Sequence, residues 1–156
     1  MAHSYTAFLR LEPAQLLALV LGVPTIWIGG TFATSFAGWR QFARQFRASA
    51  EPEGVELVPV TGVIRWAVYR NLLRVRLAPE GLFVAPVLPI LVGHPPLLFP
   101  WATIRRAETY GPKLFRKHRV TVASDDGTDR VFRLEDERIV AAVQRFAPGA
   151  RSHQAV

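Results

Sequence analysis

The sequence predicts an α+β chain: a long N-terminal helix able to span a membrane, an antiparallel β-meander, and a single amphipathic C-terminal helix. Three observations carry this. No charged residue occurs between Glu12 and Arg40, a run of 27 positions, whereas about 20 helical residues suffice to cross a bilayer core. Beyond Gly54 come short runs in which apolar and polar residues alternate, separated by turn-forming residues, as in half-buried strands. After Glu135-Asp136-Glu137, the residues Ile139, Val140, Val143 and Phe146 recur at helical spacing. The 156 residues suit one domain plus an anchor and would leave two domains with thin cores.

Composition narrows the classes of partner and chemistry. Half the residues are apolar and 20% are charged, below the roughly 25% usual for a soluble domain. Nineteen Lys and Arg against twelve Asp and Glu leave a net charge of +7, which favours anionic partners such as acidic headgroups or nucleic acid. Seventeen of the cations are Arg. That bias reads chiefly as genomic nucleotide composition, although a guanidinium also binds phosphate in a bidentate manner. The chain has no Cys, which excludes disulfides, thiolate metal sites and cysteine nucleophiles.

The first element, after a tail at residues 1–12, is an anchor over residues 13–37. Pro13 suits a first helical turn, where its missing N–H has no bond to lose. Pro24 removes the bond to the Val20 carbonyl, and Gly22, Gly29 and Gly30 lower helix propensity. In lipid no water competes for the backbone, so a kink rather than a break is expected. Two other readings stand beside a spanning helix. One is a cleaved signal peptide, against which count a weak basic n-region, Arg10 offset by Glu12, and the length of the apolar run. The other is a buried or hairpin-like segment. Arg40, Arg44 and Arg47 follow the run while Arg10 alone precedes it, so the positive-inside bias puts the C-terminal side in the cytoplasm.

Residues 38–53 read as an amphipathic juxtamembrane helix and linker. Trp39, Phe42, Ala43 and Phe46 share one helical face, and Arg40, Gln41, Arg44, Gln45 and Arg47 occupy the other. On one reading Trp39, Arg40, Phe42, Arg44, Phe46 and Arg47 lie at the membrane interface. On the other, the aromatic face packs against the domain that follows. The stretch ASAEPEG, residues 48–54, suits a short linker.

The domain is assigned to residues 54–149, followed by a tail at 150–156, and is expected to fold independently of the anchor. Its strands are expected at Gly62–Tyr69 and Leu72–Ala78, around a turn at Arg70-Asn71, then at Leu82–Ala85 and Thr103–Thr109. In the second strand Leu73, Val75 and Leu77 alternate with Arg74 and Arg76, giving a core face and a wet face. Lys113–Ala123 and Thr128–Leu134 flank Ser124-Asp125-Asp126-Gly127, the clearest hairpin signal in the chain. The acidic run then starts a helix that Pro148-Gly149 ends. Pro86–Pro100 holds five prolines and no charge. It is expected to cover the sheet, dock on Trp39 and Phe42, or dip into the bilayer interface.

A β-meander followed by one helix resembles the pleckstrin-homology-like (PH-like) superfamily, including bacterial PH-like and GRAM-like domains, over about Gly62 to Phe146. Leu98-Phe99-Pro100-Trp101-Ala102-Thr103-Ile104 is similar to a stretch that leads into a strand in membrane-attached bacterial PH-like proteins of unknown function. So is Gly38-Trp39 followed by Phe42-Ala43 and Phe46. The resemblance implies a bent antiparallel sheet or partly open barrel closed by a C-terminal helix, in a single-pass protein of a bacterial inner membrane.

Signals for catalysis are sparse. His3, His94, His118 and His153 have no ligand spacing among them, so no metal site is expected. No nucleophile elbow, phosphate-cradling loop or zinc-binding helix motif occurs, and no cofactor is expected. Turn and helix-start chemistry account for Asp125-Asp126 and Glu135-Asp136-Glu137. The densest cationic run is Lys113–Arg119. Its Lys113, Arg116, Lys117 and Arg119 are candidate lipid-binding residues, because cations held near an anionic leaflet each gain about 1 kcal/mol. The bland reading is a solvated hairpin face, and no nucleic-acid reading motif accompanies the charge. The expected function is therefore a membrane-tethered, non-enzymatic module that meets an acidic phospholipid or a membrane-protein partner at the cytoplasmic face. The alternatives are a structural subunit of a membrane complex and an enzyme with an unrecognised site.

Overall fold

The structure, a computed structural model, describes residues 12–87, 93–111, 117–147, 149 and 151–154. Helix α1 spans Pro13–Thr34 and runs unbroken through Pro24. At its start the Gln15 side chain accepts a hydrogen bond from the Glu12 N–H at 3.1 Å, satisfying a donor that the first turn would otherwise strand. It is one helix long and apolar enough to cross a membrane, and 6% of its most apolar window is buried. A short π-helical segment, Ser35–Trp39, follows, in which Gly38 leaves helical geometry at φ 176°. Helix α2, Arg40–Phe46, then departs in a new direction.

The sheet is built from β1 (Val55–Ile64), β2 (Ala67–Leu77), β3 (Gly81–Pro86), β4 (Leu97–Pro100), β5 (Ile104–Tyr110), β6 (Lys117–Ala123) and β7 (Asp129–Leu134). These seven are antiparallel in the order β4-β3-β2-β1-β7-β6-β5, and β8 (Arg151–Gln154) adds a parallel strand beside β5. The architecture is thus α+β with a sheet that does not close. Helix α3, Glu137–Phe146, packs at the β5 end. Asp136 caps it, accepting from the Arg138 N–H at 3.0 Å. Ile139 and Val143 turn into the core, and the Phe146 ring stacks on Trp101 at 5.3 Å.

Several element boundaries differ from expectation. The first hairpin turns at Arg65-Trp66, not at Arg70-Asn71. Asn71 does take a left-handed φ of 52°, but as an irregularity inside β2, where Thr61 Oγ1 accepts from its N–H at 3.0 Å. Strand β1 begins at Val55, well before Gly62. Pro59 has no N–H to give the ladder, and the β1–β2 register slips between Leu57 and Val60. Leu97–Pro100, inside the proline-rich connection, forms β4. There β3 and β4 approach so closely that a Cβ on Gly81 would strike the Phe99 carbonyl.

The β6–β7 turn and the α3 cap each hold a carboxylate below the usual range. Asp126 accepts from the Thr128 hydroxyl and N–H and pairs with Arg130 at 2.7 Å. Asp136 is lowered first by the Arg138 guanidinium, against opposing desolvation. A carboxylate lowered in the folded state stabilises above its unfolded pKa and loses that contribution as pH falls through the folded value. Asp136→Ala should therefore cost about 1 kcal/mol at neutral pH. Its urea-unfolding gap to the wild type should close below roughly pH 4. A gap that stays constant down to about pH 2.5, roughly one and a half units lower, would show that only the neutral cap matters.

Candidate membrane-facing surface

The segment between α1 and the sheet is packed into the core of the domain. Trp39, Phe42 and Phe46 are 0%, 2% and 4% exposed. The Phe42 ring meets Phe99 at 5.6 Å and Phe132 at 5.7 Å, and Phe46 meets Phe99 at 4.9 Å. Of the two positions weighed for this aromatic face, the structure places Trp39, Phe42 and Phe46 in the core of the domain. The physical reason is the sheet's open side: Leu97, Phe99 and Phe132 would face water there unless α2 covered them.

Polar contacts fix the same helix. Gln45 accepts from Ser124 Oγ at 2.8 Å and donates to Asp125 Oδ1 at 2.7 Å, and Arg130 donates to the Gln41 carbonyl. On the anchor side Trp39 Nε1 donates to the Pro95 carbonyl at 2.7 Å, and Ser35 Oγ donates to that of Gly93. His94 packs its ring on Trp39 at 5.1 Å and is hydrogen-bonded to Tyr69 Oη at 2.9 Å. The described part of the proline-rich connection therefore docks on Trp39 and feeds Leu97 and Phe99 into the core; its residues 88–92 lie outside the described residues.

Nor is the stretch 48–53 a free linker. The Ala48 N–H donates to the Pro96 carbonyl at 2.9 Å, Arg76 donates to the Pro52 carbonyl at 2.9 Å, and Glu51 pairs with Arg74 at 3.1 Å and Arg76 at 2.8 Å. This strap covers a small apolar cluster of Ala48, Phe83 and Ala85. A cavity of about 390 Å³ remains beneath it, with His94 and Phe83 in its wall and the Glu51–Arg74 pair at its edge.

Of the four basic residues singled out in Lys113–Arg119, the described residues include two. Lys113 and Arg116 lie outside the described residues, and Lys117 is exposed at the start of β6. Arg119 is half-exposed, with its guanidinium over the Tyr110 ring at 5.0 Å and Glu108 at 4.0 Å. Arg40, Arg44 and Arg47 are exposed on the solvent side of α2, Arg40 lying over the Phe36 ring at 4.2 Å.

Sheet register supplies what sequence spacing missed. Val68 pairs with Val63, Val63 with Arg133, Arg133 with Arg119, and Arg119 with Glu108. Paired residues share a face, so these form one lateral row, running about 14 Å from Val68 to Arg119 at ~4.8 Å per strand. Val68 also lines a cavity of about 480 Å³ between β2 and α1, with Val23, Ile26 and Trp27 opposite. Val68 of this row thus borders the apolar helix, and Ala67 and Tyr69 reach the same space from the opposite, buried face of β2. Arg133 showed no signal in the sequence because its neighbours in the row come from four different strands.

Asp125 is in the β6–β7 turn, whereas His118 is at the other end of β6 with Nδ1 hydrogen-bonded to Thr109 Oγ1 at 3.0 Å. Among the described residues no group of three or more His, Asp or Glu is placed to hold a metal ion. The chain matches no protein-family model and no curated protein.

Proposed function

We propose that this is a membrane-anchored, non-enzymatic module of PH-like design whose basic sheet face meets acidic headgroups at the cytoplasmic side of a bacterial inner membrane. The observation that carries the reading is the lateral row: Arg119 of β6 and Arg133 of β7 share a face with Val68, which borders the apolar helix. The strand order followed by one helix supports the PH-like part. Arg40, Arg44 and Arg47 after the helix, against Arg10 before it, support the orientation. Asp125 and Asp126 serve the turn, Asp136 the cap and Glu51 the strap, which supports a binding rather than a catalytic role.

The test is salt-dependent association. A chain lacking α1 but retaining Ser35 onward should bind vesicles containing phosphatidylglycerol and detach as salt rises, because contacts between exposed charges are screened over about 8 Å at physiological ionic strength. Changing Lys117, Arg119 and Arg133 together to Gln should remove most of that binding. Changing Arg105, Arg138 and Arg145, which lie off the row, should remove much less. Equal losses would reduce the attraction to net charge, and no loss in either would point to a protein partner instead.

A further inference from the structure

We infer that Arg119 and Arg133 together take a phosphomonoester headgroup, the chemistry of phosphatidic acid, in preference to the phosphodiester headgroups of other acidic lipids. This rests on the reading of the basic sheet face as a surface for acidic headgroups, and it names which one. Six described arginines are half-buried: Arg74, Arg76, Arg106, Arg119, Arg130 and Arg133. Four of them bond to a carboxylate, Arg74 at 3.1 Å and Arg76 at 2.8 Å to Glu51, Arg106 at 3.0 Å to Glu108, and Arg130 at 2.7 Å to Asp126. The remaining two, Arg119 and Arg133, stand directly opposite each other on β6 and β7. Arg119 has Glu108 at 4.0 Å, beyond hydrogen-bonding distance, and the other oxygen of that carboxylate is bonded by Arg106. Arg133 makes no ion pair among the described residues. None of the undescribed residues is Asp or Glu, so no further carboxylate side chain exists to fill the gap.

Like charges directly opposite across two strands destabilise a sheet. The next pair on the same face, Thr121 and Val131, carries no charge to relieve this, and on the other side Lys117 adds a third cation. Glu135, exposed two positions past Arg133, forms no ion pair. An anion between the two arginines supplies what the chain does not. The geometry of the pair then selects the anion. Paired Cα atoms lie about 4.5–5.5 Å apart, so two guanidinium groups start from neighbouring points and can meet on one phosphorus. Tyr110 restrains Arg119 with its ring 5.0 Å from the guanidinium, a contact that leaves the N–H groups free to donate. Each guanidinium fork engages two oxygens at once. A phosphodiester has two non-bridging oxygens and a single negative charge, enough for one fork. A phosphomonoester has three terminal oxygens and a charge of about −1.5 to −2 at neutral pH, enough to serve both forks and to balance both cations.

The test is competition between lipids for the full chain. In mild detergent with equal parts of phosphatidic acid, phosphatidylglycerol and phosphatidylcholine, native mass spectra should show phosphatidic acid retained over phosphatidylglycerol by about tenfold, the worth of one more charge-assisted hydrogen bond. Arg119→Gln with Arg133→Gln should bring the two acidic lipids near parity. Arg105→Gln with Arg145→Gln removes the same charge elsewhere and should leave the preference intact; an equal loss would reduce it to net charge and overturn the proposal. The Arg119/Arg133 variant should also unfold at no lower urea concentration than the parent, because it relieves a repulsion. A lost preference with a lowered midpoint would mark the two arginines as structural. Parity in the parent chain, with both acidic lipids retained above phosphatidylcholine, would overturn the phosphomonoester assignment and leave the acidic-headgroup reading standing. Retention of neither above phosphatidylcholine would overturn both. Glycerol phosphate at the same concentration should not displace phosphatidic acid; displacement would assign the pair to a soluble phosphate ester and overturn the lipid.

Discussion

A chain beginning at Gly54 should fail to fold cooperatively, whereas one beginning at Ser35 should fold. The first lacks Trp39, Phe42 and Phe46, all in the principal core cluster. Truncating one buried Phe or Trp to Ala costs about 3–5 kcal/mol, and whole domains are held by about 5–15 kcal/mol. Losing three together, with the Gln45 contacts to Ser124 and Asp125, removes most or all of that margin. It also bares Phe99 and Phe132, which stack at 4.8 Å beneath α2. Within the full chain, Phe42→Ala should lower the midpoint of domain unfolding by roughly 15–30 °C for a domain near 100 residues. Urea titration followed by the fluorescence of Trp66 and Trp101, present in both truncated chains, separates the outcomes. Matching cooperative transitions in the two chains would show that α2 is an accessory rather than part of the core.

That dependence marks where the sequence stopped being readable. The apolar helix was legible because its signal is local: 27 positions without a charge need no knowledge of what surrounds them. Strands β6 and β7 and the second half of β2 were legible for a similar reason, since alternation and the Asp-Gly turn are written in adjacent residues, whereas the first half of β2 was read as part of the preceding strand. The amphipathic period of α2 was just as plain, but period identifies an apolar face and not what covers it. Lipid and a gap in the sheet make the same demand on Trp39, Phe42 and Phe46. Strands β1 and β4 were obscured by Pro59, Pro96 and Pro100, residues that argue against a strand although both segments tolerate them. The turn at Arg65-Trp66 carries neither Gly nor Asn; Arg65 nonetheless adopts a φ of 56°. The basic surface was half legible. The run ending in Lys117 and Arg119 is visible as a string, whereas Arg133 joins it only through strand pairing with Arg119, fourteen positions earlier in sequence.

The second large effect concerns α1 itself. The full chain should remain in the membrane fraction after alkaline carbonate washing, and Val20→Arg combined with Leu21→Arg should release it. Leu, Ile, Val and Phe each favour insertion by about 0.3–0.6 kcal/mol near the centre of a span, whereas each Arg opposes it by about 2.5–3.5 kcal/mol. Nine such apolar residues lie within Pro13–Thr34, giving about 3–5 kcal/mol in favour before Pro24 and the glycines are counted. Two central arginines add about 5–7 kcal/mol against, so the sign reverses. Val20 and Leu21 are 62% and 59% exposed and contribute no side chain to the core, so the released protein should show the same domain unfolding transition as the parent. Retention of the double variant in the membrane would mean that the sheet face and hairpin, rather than the helix, hold the protein there. Release accompanied by an unfolded domain would mean that α1 is packed against the sheet as a structural element and does not span.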